Sequence, residues 1–76
     1  MYSKIVSNLV YSKDDVAESR QAFLTYLKVQ VRPLGFNRIQ LQLEAKQEFW
    51  ENRREIYLEF LNFMLDTATQ RMIRNS

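Results

Sequence analysis

The chain has no His and no Cys, so its acid–base or metal chemistry can come only from nine carboxylates, eleven Lys or Arg side chains and four Tyr. Five of the carboxylates, Glu44, Glu48, Glu51, Glu55 and Glu59, recur at spacings that would gather them on one side of a helix. A di-metal carboxylate bundle would need Glu-x-x-His pairs on facing helices, and zinc sites draw on His or Cys; neither residue occurs. Like charges at i, i+4 cost a helix some stability, so the acidic line reads as a solvated face or, more weakly, as a surface for a basic partner. There is no glycine-rich phosphate loop and no nucleophile motif. Two or three short helices leave little room for a desolvated pocket of about 300 Å³. These residues predict a non-catalytic protein without metal or cofactor.

What could hold a partner is apolar. Phe49, Trp50, Tyr57, Phe60, Leu61, Phe63 and Met64 recur at helical spacing, either as core or as a protein-binding or dimer face. Arg53 lies between Trp50 and Tyr57 on that apolar side. It can snorkel, pair with Asp14, Asp15 or Glu18, or serve as a polar contact at an interface. Near the start, Ile5, Val6, Leu9 and Val10 would share one side of a short helix, although their β-branched content also suits a strand. The candidate partner-binding residues are therefore Ile5, Val6, Leu9, Val10, Trp50, Arg53, Tyr57, Leu61 and Met64.

Three helices would position them. The first covers residues 2–11. Ser12-Lys13-Asp14-Asp15 then reads as a capping box, with Tyr11 and Val16 as a hydrophobic staple, and starts a helix over 13–31. Arg32-Pro33-Leu34-Gly35 is a corner, after which Asn37 as N-cap and Phe36 as staple begin a helix over 38–74. That helix would be about 55 Å long, roughly twice its antiparallel neighbour. The surplus apolar face predicts a second copy of the chain, a homodimer.

Seventy-six residues form one domain, 1–76, close to the size below which a chain struggles to bury a core unaided. Apolar residues are 46% of the chain, too many for a disordered segment, while single Gly and Pro residues argue against a turn-rich sheet protein. The expected class is all-α: a helical hairpin with one long C-terminal helix and a short N-terminal helix, forming a dimeric bundle. No apolar run approaches the roughly 20 residues that span a bilayer, and the N-terminus lacks the apolar region of a secretory signal, which predicts a cytoplasmic protein without a membrane partner. A net charge of +2 is weak support for a polyanion partner.

One stretch carries a family resemblance. Residues 12–27, through Ser12, Asp15, Glu18, Arg20, Phe23 and Leu27, with conservative matches at Lys13, Asp14, Val16, Leu24 and Tyr26, resemble the AsiA-type anti-sigma proteins of T-even bacteriophages. The resemblance covers about a fifth of the chain. It implies a small all-helical regulator that binds the promoter-recognition end of the primary sigma factor and redirects RNA polymerase. It further implies self-association of the free protein through its first helix, which here would place Ile5, Val6, Leu9 and Val10 at the contact. The function expected is regulation by protein–protein contact, with transcription as the process. The alternatives are a helical dimer binding nucleic acid through Arg38, Lys46, Arg53, Arg54, Arg71 and Arg74, or a structural assembly or adaptor subunit.

Overall fold

The computed structural model describes residues 1–74. The order of elements is strand β1 (Tyr2–Ser7), helix α1 (Lys13–Ala22), strand β2 (Leu27–Gly35), strand β3 (Arg38–Ala45), a 3₁₀ segment (Gln47–Asn52) and helix α2 (Arg53–Arg74). The strands form one antiparallel sheet in the order β1-β3-β2, so the last strand lies between the first two. Both helices pack on one side of it. The protein is α+β, which corrects the all-α bundle and the helices expected over 2–11, 13–31 and 38–74. The all-helical fold implied by the anti-sigma resemblance is not the fold of this chain. At 22 residues against ten, α2 is still about twice the length of α1, but the sheet covers its buried face, so the surplus apolar face from which a dimer is expected does not arise.

Strand alternation explains the correction. In β2, Leu27 and Val29 are buried while Lys28, Gln30 and Arg32 are exposed. In β3, Leu41, Leu43 and Ala45 are buried while Gln40, Gln42 and Glu44 are not. That is the period of a sheet with one face covered. Register pairs Tyr2 with Leu43, Lys4 with Leu41 and Val6 with Ile39 on the helix side, and Ser3 with Gln42 and Ile5 with Gln40 on the other. Leu27↔Ala45, Val29↔Leu43 and Val31↔Leu41 extend the same division across β2.

The β2–β3 connection is a tight hairpin. Gly35 pairs with Arg38, and the two loop residues Phe36 and Asn37 have φ of +53° and +61°, as a type I′ turn requires. Asn37 is thus a turn residue and caps no helix. Gly35, at φ +81° beside the register shift after Pro33, takes a conformation that suits a residue without Cβ.

The core is built from Leu27, Leu41 and Leu43 on the sheet against Phe60, Met64 and Ala68 of α2, with Val16 of α1. Aromatic rings join the layers. Phe23, just past α1, meets Phe60 and Phe63 edge-on at 5.5 and 5.7 Å between centroids, and Tyr26 meets Phe49 at 4.9 Å.

The expected capping box is present: the Asp15 N–H donates to Ser12 Oγ, and the Ser12 N–H donates to Asp15 Oδ2. Asp15 is nonetheless buried, and its carboxylate also receives Arg71 Nε at 3.0–3.1 Å from the far end of α2. The same guanidinium donates to the Val10 carbonyl at 3.0 Å. One ion pair therefore ties the β1–α1 loop, the first turn of α1 and the last turns of α2. A domain of this size is stable by only about 4–11 kcal/mol. Asp15→Asn and Arg71→Met are each expected to remove about 1–3 kcal/mol in urea unfolding. The double variant should lose clearly less than the sum; strictly additive losses would show that the two groups are not coupled.

Candidate interaction surface

The residues expected to meet a partner divide into three groups. Tyr57 and Met64 are in the core, and Val6 and Leu61 pack half-buried against it. Tyr57 stacks on Tyr2 at 5.5 Å, and its hydroxyl oxygen accepts the buried Ala45 N–H at 3.2 Å, closing the end of the central strand. Trp50 and Arg53 lie near that end. The Arg53 guanidinium sits 4.5 Å from the Trp50 ring centroid and donates to the Trp50 carbonyl at 2.9 Å. The Arg53–Asp15 pair considered from sequence does not form: Arg53 opens α2, whereas Asp15 meets Arg71 in the helix's last turns, about 27 Å further along. A groove of about 460 Å³ there is lined by Met1, Tyr2, Arg53, Arg54 and Leu58 with Glu51, a mixed-charge wall without a convergent polar cluster.

Ile5, Leu9 and Val10 form the third group, and all three are exposed. Leu9 and Val10 belong to the end of the sheet that carries the β2–β3 turn, since the Asn8 N–H donates to the Asn37 carbonyl at 2.9 Å, whereas Ile5 pairs with Gln40 on the face turned away from the helices. Leu9 is 74% exposed. At the same end lie Leu34 and Phe36, which sequence reasoning did not select; Phe36 is 92% exposed. Beside them α1 and β2 frame a groove of about 300 Å³ with an apolar floor of Tyr11, Val16, Val31, Pro33 and Ile39. Lys13 and Arg20 stand on its rim, and no carboxylate lines it. Asp14 and Glu18 of α1 instead line a depression shared with α2.

No family model, curated protein or solved structure matches the chain. The functional reading therefore rests on this geometry. Among the described residues, no three His, Cys, Asp or Glu side chains are grouped so as to hold a metal ion, and no helix is long and apolar enough to cross a membrane.

The signal that could have located the turn end was Gly35-Phe36-Asn37 between two alternating runs, which is hairpin punctuation. Tyr57 and Leu9 make opposite demands on a variant. Tyr57→Phe orphans a buried N–H and is expected to lower stability by about 1–3 kcal/mol. Leu9→Asp, in an exposed loop, should change it by less than about 0.5 kcal/mol. Urea unfolding of the two proteins side by side checks the division; equal losses would refute it.

Proposed function

We propose that this protein is a non-catalytic regulatory module that holds a protein partner on the apolar turn end formed by Leu9, Val10, Leu34 and Phe36 and the α1–β2 groove. Phe36 carries the reading. An L-residue in the left-handed region costs about 1–2 kcal/mol, and this large ring gains no burial in the free chain to offset it. Burying a Phe side chain on a partner is worth about 1.5–3 kcal/mol, enough to exceed that cost. Tip residues of this kind, large and desolvated on binding, are typical interface anchors.

The two buried groups that could have done acid–base work are committed elsewhere: Asp15 to Arg71, and Tyr57 to the Ala45 N–H. That supports a binding role over an enzymatic one. The Ser12–Leu27 resemblance supplies the first partner to try, the bacterial primary sigma factor or RNA polymerase, and with it a cytoplasmic setting. The contact in this reading is a strand end and two turns, where the family would use a helix.

Phe36→Asn should raise stability by about 1 kcal/mol, since Asn tolerates positive φ, while abolishing partner retention. The assay immobilises the full chain and challenges it with purified RNA polymerase holoenzyme and with free sigma, beside Leu9→Asp and the control Leu65→Lys on the exposed side of α2. Retention by the unmodified chain and the control but by neither turn-end variant supports the proposal. Retention unaffected by Phe36→Asn and Leu9→Asp sinks it. A dimer in light scattering that both variants dissolve would assign the turn end to a second copy instead.

A further inference from the structure

The net charge of +2 conceals a segregation that the fold creates. The three strands carry Lys4, Lys28, Arg32 and Arg38 against Glu44 alone, whereas the helical segments carry six cations against eight carboxylates. Register places Lys28, Arg32, Arg38 and Glu44 on the sheet face turned away from the helices. That face is ordered in rows. Lys28, Gln30 and Arg32 run along β2; Arg38, Gln40, Gln42 and Glu44 run along the central β3; Ser3, Ile5 and Ser7 run along β1.

We infer that this open face binds single-stranded RNA, with Lys28, Arg32 and Arg38 on phosphates and the amides of Gln30, Gln40 and Gln42 on riboses and base edges. Lys28 and Arg32 are four positions apart on one strand, and Arg38 lies two positions beyond Arg32's cross-strand partner, Gln40. At about 3.3 Å per residue the cations mark a track of about 20 Å, roughly six nucleotides at the 3.4 Å spacing of a stacked strand. Glutamine amides and serine hydroxyls both donate and accept, which matches the 2′-hydroxyl and the unpaired base edges of RNA. The cations named for a helical nucleic-acid binder are dispersed by the fold: Arg71 is held by Asp15, Arg53 lies over Trp50, Arg38 belongs to this face, and Lys46, just past β3, lines a depression with Lys28.

The test is fluorescence anisotropy of the full chain with a labelled ten-nucleotide uridine oligomer, against the thymidine DNA oligomer, a ten-base-pair DNA duplex and poly-L-glutamate. The uridine oligomer should bind several-fold more tightly than any of the other three. Its log K should fall with log salt at a slope of about −2, as three phosphate contacts require. Arg32→Gln should weaken binding about threefold or more and bring the slope to about −1.4, while Arg54→Gln on α2 changes neither. Glu44→Gln should strengthen binding about two- to threefold, a gain that misfolding cannot produce. Binding no tighter to the uridine oligomer than to DNA or polyglutamate, a slope near zero, or indifference to both Arg32→Gln and Glu44→Gln would overturn the inference.

Discussion

Strand β3 is bonded on both sides but covered on only one, and that asymmetry decides where everything else in this chain can go. Its odd-numbered positions, Ile39, Leu41, Leu43 and Ala45, must lie under α1 and α2. Its even positions then face away, and with them the even positions of β2. A one-residue slip in register would exchange the two sets, placing Gln40 and Gln42 against Phe60 and Met64 and leaving the leucines in water. Several buried leucine-sized side chains at about 1.5–3 kcal/mol each outweigh any single turn or cap preference, so register is set by burial and not by the hairpin alone.

Alternation also explains why the elements were half legible. The α1 start was readable because Ser12 and Asp15 act locally, through a capping box that needs no tertiary context. The strands were misread because Ile39 and Leu43, or Leu27 and Val31, are four apart and fit a helix as well as a strand. The intervening Val29 and Leu41 are what separate the two periods, since only a strand keeps every second residue on one face. The same confusion hid the turn. Read as a helix start, Phe36 and Asn37 become staple and cap; read between two strands, they become a type I′ turn whose ring must face solvent. Val6, Tyr57, Leu61 and Met64 were recognisable as apolar anchors, yet no local signal distinguishes a ring that faces the sheet from one that faces a partner.

The Asp15–Arg71 pair solves a problem of small size. With 76 residues there is too little core to fix both helices by burial alone, and α1 is only ten residues long. A short helix whose first-turn carboxylate is shared between its own cap and the end of α2 has its axial position set at one point. Phe23 sets it at the other, against Phe60 and Phe63. The pair is half-open, with the Arg71 side chain 34% exposed and the Asp15 side chain 3%. Its desolvation cost therefore falls mainly on the carboxylate, where the backbone hydrogen bond from Ser12 helps to meet it.

The two surfaces are not independent, because one hairpin carries both. Its tip presents Leu34 and Phe36, its outward residues are Lys28, Gln30, Arg32 and Arg38, and its inward ones are Val29, Ile39 and Leu41. Arg38 directly follows the turn and pairs with Ser7, the residue that leads into Leu9. A partner seated on the tip would place its own charge within about a Debye length of Arg38 and Arg32. An acidic partner would then oppose a polyanion on the sheet and a basic one would assist it, and the polyanion would act on the partner by the same factor. Such a coupling would need no conformational change, since the hairpin that joins the two surfaces is itself held in register by the core beneath it.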